Sequence, residues 1–114
     1  MSAESFLPQL PTVALSLAVA NTSAALQLNG GNPVGTNCCQ VDNQTTGWAF
    51  VRFDGAADSA TAPTAGTGAV TGQPGFYVAP GTSRVVRVNP NAVNAAAVSS
   101  ATGTVSFTPG EGRI

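Results

Sequence analysis

The sequence predicts an all-β domain, an antiparallel β-sandwich or jelly roll of seven to eight short strands. Three observations carry that prediction. Bulky apolar residues alternate with small or polar ones, as at Val13, Leu15, Leu17 and Val19, and a period of two marks a strand with one buried face. Glycine (13) and proline (8) are spread along the whole chain. They cut it at intervals of roughly ten residues, the spacing of a sandwich or barrel. The aromatic residues Trp48, Phe50, Phe53, Phe76, Tyr77 and Phe107 fall within strand-like runs and not at helical spacing. A chain of 114 residues fits one domain with a core of its own.

Residues 1–11 read as an N-terminal arm ahead of a single domain over 12–114. Pro8 and Pro11 block a helix there and remove backbone donors, while Phe6, Leu7 and Leu10 give the arm apolar side chains to lay on a neighbouring molecule. Thr12–Ala20 is the first clear strand. Ser23–Leu28 is the second, with Leu26 and Leu28 inward, and Asn29-Gly30-Gly31-Asn32-Pro33 turns the chain. Asn37–Asn43 forms a third strand through Cys39 and Val41. In Trp48–Phe53, Ala49, Val51 and Phe53 share one face, and Trp48, Phe50 and Arg52 share the other. Both faces are apolar at one end, so both are expected to be covered.

Residues 54–73 are rich in Gly, Ala, Thr and Ser and read as a long loop, which in a compact domain goes with function or mobility. Phe76–Ala79 and Ser83–Val88 are short strands separated by Pro80-Gly81, and Asn89-Pro90-Asn91 breaks the second. The alanines of Ala92–Ser99 permit a helical turn, but Val93 and Val98 favour extended chain. Gly103–Thr108 closes the set with Val105 and Phe107 inward, and Pro109-Gly110-Glu111-Gly112 ends it.

Charge is scarce. Charged residues make up 8 % of the chain, against about 25 % in an ordinary soluble domain. The net charge of −1 provides no field to steer DNA, RNA or an anionic membrane. The four basic residues are arginines scattered along the chain. Val13–Ala20 is far shorter than the ~20 apolar residues of a membrane-spanning helix. An uncharged polar surface of this kind is expected to be covered by copies of the chain or by a larger assembly.

Catalytic motifs are hard to build from these residues. A Ser or Cys nucleophile needs a base, and the chain has neither histidine nor lysine. Asp54 and Asp58 are the nearest carboxylate pair, but they fall in the long loop and lack the dense acids of a calcium loop. Cys38 and Cys39 are adjacent, and neighbours in a strand point to opposite faces, so they are expected as reduced thiols with at least one buried. Reduced thiols fit assembly in a reducing cytoplasm. Asn21-Thr22-Ser23 and Asn43-Gln44-Thr45 match the glycosylation pattern by coincidence on this reading, since no export signal precedes them.

One further pattern spans much of the chain. It consists of Trp48-Ala49-Phe50-Val51-Arg52-Phe53, a small-residue loop, Val78-Ala79-Pro80-Gly81-Thr82, and Thr102-Gly103-Thr104-Val105-Ser106-Phe107-Thr108-Pro109-Gly110-Glu111-Gly112. This series resembles a class of small bacteriophage virion structural proteins, over roughly residues 13–112. In that class a strand ending in an Arg–aromatic pair is followed by a loop, a Pro-Gly turn and a closing strand before a Gly-Glu-Gly end. The resemblance implies a β-sandwich virion component of the capsid decoration (cement) type, without catalytic residues. The Cys38-Cys39 pair and the proline-containing arm lie outside the pattern.

The expectation is therefore a non-enzymatic protein on the capsid surface, assembled in the host cytoplasm. It would bind the major capsid protein or other virion proteins as a homo-oligomer, a dimer or trimer. Its expected contact residues are Phe6, Leu7, Leu10, Trp48 and Tyr77. No cofactor, metal, nucleic acid or membrane is called for. A tail, neck or fibre-associated component is an alternative, as is a small carbohydrate-binding module that stacks sugars on Trp48 or Tyr77.

Overall fold

A computed structural model describes residues 6–54 and 75–112. Nine strands lie within them: β1 (Phe6–Pro8), β2 (Val13–Leu17), β3 (Ala24–Gln27), β4 (Cys38–Asn43), β5 (Ala49–Asp54), β6 (Gly75–Val78), β7 (Ser83–Arg87), β8 (Asn94–Ser99) and β9 (Gly103–Gly112).

The pairing is nested. β5 pairs with β6, β4 with β7, β3 with β8 and β2 with β9, all antiparallel, as if one long hairpin had been folded back on itself. Lateral pairing of β4 with β9 and of β5 with β8 then forms two sheets. One runs β2-β9-β4-β7 and the other β3-β8-β5-β6, with β1 added to β9 beyond β2. This is the double-sheet jelly roll. The expected all-β fold is present, and the strand order selects the jelly-roll form. Because consecutive strands reverse direction, the segments 18–23, 44–48, 79–82 and 100–102 gather at one end of the sandwich. Segments 28–37 and 88–93 lie at the other.

The core lies between the sheets. Leu15 and Leu17 of β2, Cys39 and Val41 of β4 and Val105 and Phe107 of β9 are buried from one side. Ala49, Val51, Val78, Ala95 and Ala97 are buried from the other, as the period-two pattern requires. Phe53 meets Phe107 across the layer at 6.0 Å between ring centroids and 80°, an edge-to-face contact. The second face of β5 is buried as well, with Phe50 at 6 % and Arg52 at 5 % exposure.

Two expectations change, and one open alternative is decided. Phe6–Pro8 do not extend away as an arm: they form β1, in register with Gly112, Glu111 and Gly110 of the same chain. The last strand does not stop before Pro109 but continues through it to Gly112. Proline is tolerated there because its backbone faces the break between β1 and β2, where its carbonyl accepts from both Gln9 N (3.0 Å) and Leu10 N (3.2 Å). Ala92–Ser99 takes the extended form that Val93 and Val98 favour: Asn94–Ser99 is the central strand β8, and Ala95, Ala96 and Ala97 are each fully buried. The long loop expected at 54–73 lies outside the described residues apart from Asp54, the last residue of β5.

Candidate interaction surface

At the end where 44–48 and 79–82 meet, a buried polar knot fixes the loops. Asn43 closes β4 and is fully buried. Its Nδ2 donates to the Gly47 carbonyl and to the Val78 carbonyl, both at 2.9 Å. Its Oδ1 accepts from Thr45 N (3.0 Å) and from Thr45 Oγ1 (2.7 Å). Ser99 Oγ lies 3.3 Å from Thr45 Oγ1 and accepts from Ala101 N at 3.1 Å. Both amide hydrogens and the carbonyl of Asn43 are thus used, the condition for burying an amide without penalty. The Asn43 glycosylation pattern is therefore a buried hydrogen-bond centre, closed to modification in the folded chain.

Trp48 follows that knot directly. Alternation from β5 places Trp48, Phe50 and Arg52 on the outer face of the sheet. Phe50 is in register with Tyr77, and the two rings stand 4.6 Å apart at 59°. Phe50 packs with Ala96 and Val98 of β8 in an apolar layer separate from the main core. Gly75 makes this possible, because a Cβ there would collide with the Phe50 ring. On this base Trp48 is 58 % exposed and Tyr77 43 %. Trp48 is the diagonal neighbour of Tyr77 across β5 and β6, within reach of large side chains. The two are exposed aromatic residues on the same outer face of this sheet, a candidate contact platform.

Arg84 on β7 holds the strand that carries Tyr77. Its Nη1 donates to the Tyr77 carbonyl at 2.9 Å, and its guanidinium sits 5.5 Å over the Phe76 ring. The edge of β6 is thereby capped, and the two sheets are tied where the sandwich would otherwise be open.

The five expected contact residues separate. Trp48 and Tyr77 come together. Leu7 is 60 % exposed, but it pairs with Glu111 at the opposite end of the sandwich. Phe6 and Leu10 are not available as surface contacts. Phe6 is 8 % exposed, with its ring on Gly110, and Leu10 packs against the core. Sequence reasoning placed Val19 inward by alternation, yet β2 stops at Leu17 and Val19 is 61 % exposed at the knotted end. It also missed Arg84, whose role depends on a contact between strands of different sheets that no local pattern encodes.

The thiols are buried and reduced in character. Cys39 is wholly enclosed, and burial pushes its thiol up to about 12, from an ordinary 9.0. Burial also raises Cys38, reinforced by Glu111 and opposed by Arg87 and the Gly112 backbone. Neither has the lowered pKa of a nucleophilic cysteine. Among the described residues no group of three His, Cys, Asp or Glu side chains could hold a metal ion. The Asp54–Asp58 pair lies outside what is described of the side chains. No helix among the described residues is long and apolar enough to cross a membrane. The chain matches no known protein family, and no curated protein is similar to it.

Proposed function

We propose that this chain is a non-enzymatic structural protein of a bacteriophage virion, a decoration (cement) protein that binds the outer capsid surface. The observation that carries the reading is the exposed Trp48–Tyr77 platform on a rigid, nearly uncharged jelly roll. Aromatic side chains of this kind dominate protein interfaces because they bury a large area with little loss of rotamer freedom. The scarcity of charge removes the repulsion and the desolvation cost that a charged surface would bring to a seam between capsid subunits. Jelly rolls recur in capsid and lectin domains, which is support by fold analogy alone. The partners on this reading are the major capsid protein and further copies of the chain, and the site of action is the capsid surface.

A tail, neck or fibre position would use the same platform, and imaging of labelled chain on particles separates it from the capsid reading. Label spread over the shell is the expected result; label confined to the tail or neck moves the assignment there. The platform also favours a second reading, sugar binding by stacking on Trp48 and Tyr77. A glycan array tests it: specific binding by wild type that is lost in Trp48→Ala, with the fold intact, would replace the virion reading.

A further inference from the structure

We propose that Asn29 is a site of spontaneous covalent modification: in the folded chain its carboxamide closes onto the Gly30 nitrogen, loses ammonia and becomes aspartate or isoaspartate. The step needs only water and hydroxide, and it does not depend on the virion reading.

The sequence narrows the choice. Asparagine is a labile side chain, and its conversion is limited by the approach of the next residue's backbone nitrogen to Cγ. Of the eight asparagines in the chain, only Asn29 precedes glycine, which has no Cβ to crowd that approach. Asn32 and Asn89 precede proline, whose nitrogen has no hydrogen to lose. Asn21 precedes Thr22, which is branched at Cβ. The fold disfavours the others. Asn37 Nδ2 donates to Gly112 O at 3.0 Å, and its Oδ1 accepts from Gly112 N at 2.9 Å. Asn43 is buried with its carboxamide fully engaged. Ala92, which follows Asn91, donates its N–H to Asn89 O at 2.8 Å. Ala95, which follows Asn94, is fully buried in the central strand β8.

The turn leaves Asn29 and Gly30 open to the reaction. Asn32 N donates to Asn29 O at 3.0 Å, and Gly30 and Gly31 have φ of 60° and 93°, the left-handed pair of a primed turn. That bond is made by Asn32 N and not by Gly30 N. Gly30 is exposed, and Asn29 is half-buried. The Asn29 carboxamide is held by an exposed bond from Nδ2 to Pro33 O at 3.0 Å. Both ends of the turn are anchored: Leu28 N donates to Val93 O and Val34 N to Ala92 O, each at 2.9 Å. The tip can therefore rearrange while the flanking strands stay paired.

Hydroxide takes the proton from Gly30 N. The nitrogen attacks Asn29 Cγ, the N–Cγ bond forms, the Cγ–Nδ2 bond breaks, and Nδ2 leaves as ammonia with a proton from water. Water then opens the cyclic imide. Cleavage at Cγ gives aspartate. Cleavage at the backbone carbonyl carbon of Asn29 gives isoaspartate, with the main chain routed through the side chain. Either product carries a carboxylate, which only accepts hydrogen bonds, so the donation to Pro33 O is lost. The net charge of −1 gains one further negative charge.

Incubation of the full chain at mildly alkaline pH, folded and in urea, tests this with peptide mapping by mass spectrometry. Isoaspartate is read independently with an isoaspartyl methyltransferase and a labelled methyl donor. The expected result is conversion at Asn29 in the folded chain within about tenfold of its rate in urea, a barrier difference of no more than ~1.4 kcal/mol, while the other asparagines of the folded chain remain amides. The rate should rise with pH, and Asn29→Gln should abolish the methyl labelling. Slower conversion of Asn29 in the folded chain overturns the proposal. So does a folded chain in which another asparagine converts first, a rate that ignores pH, or labelling that persists in Asn29→Gln.

Discussion

The carboxamide of Asn43, on the β4 sheet, donates to the carbonyl of Val78, on the β6 sheet, at 2.9 Å. One fully buried side chain therefore ties the two layers together at the end where Trp48 emerges. Replacing it with alanine removes the side-chain partner of the Val78 carbonyl and of the Thr45 amide, while the Gly47 carbonyl keeps Thr45 Oγ1 at 2.8 Å. Each stranded polar group costs about 1–3 kcal/mol, so Asn43→Ala should lose roughly 3 kcal/mol or more in urea unfolding. A loss below 1 kcal/mol would show that the knot is not what holds this end.

Gly110 pairs with Pro8 on one side and Cys38 on the other. A Cβ there would run into the Leu7 carbonyl and the Phe6 ring. Gly110→Ala should release β1 while keeping the rest of the sandwich. The global cost should be about 1–3 kcal/mol, and hydrogen exchange should quicken at the amides of Phe6–Leu10 ahead of those in β4 and β8.

Trp48 is more than half exposed and Phe107 is fully buried. Trp48→Ala should change stability by no more than about 0.5 kcal/mol, while Phe107→Ala should cost about 3–5 kcal/mol. Partner binding should show the reverse order once folded protein is compared with folded protein. Thermal melts and binding assays on the same samples check both halves.

The Cys39 thiol, pushed up to about 12 in the fold, ionises near its ordinary 9.0 once the chain unfolds. A folded pKa above the unfolded value means that the unfolded state loses its proton first. The stability due to this group is therefore complete below pH 9 and falls as the pH rises from 9 toward 12. Cys38 shifts in the same direction and adds to the slope. Urea midpoints measured from pH 7 to 11 should fall above pH 9, and Cys39→Ala should flatten part of that fall. A thiol reagent at pH 8 should react with neither cysteine until denaturant is added.

Much of the fold was legible because it rests on alternation. Val13, Leu15 and Leu17, and likewise Val105 and Phe107, point inward as their spacing requires. Ala95–Ala97 were harder, since three alanines carry no helix-or-strand preference strong enough to outweigh context. They become a central strand because β3 and β5 flank them. Pro109 looked like a stop, yet a proline ends a strand only if its missing donor is needed, and here its backbone faces a break in the neighbouring strand. The contact residues were legible only in part. Trp48 and Tyr77 were chosen as large aromatics and do share a face. The apolar residues of the first eleven divide according to the pairing of β1 with β9, a contact distant in sequence, which buries Phe6 and exposes Leu7.

The central claim is that the Trp48–Tyr77 platform seats this chain on a capsid. Co-sedimentation with empty phage-type capsid shells, comparing wild type with Trp48→Ala at matched folded concentration, tests it most directly. The account predicts that wild type pellets with the shells at a fixed, saturable stoichiometry and that the variant stays largely in the supernatant. Wild type that remains in solution, or a variant that pellets equally well, would contradict it.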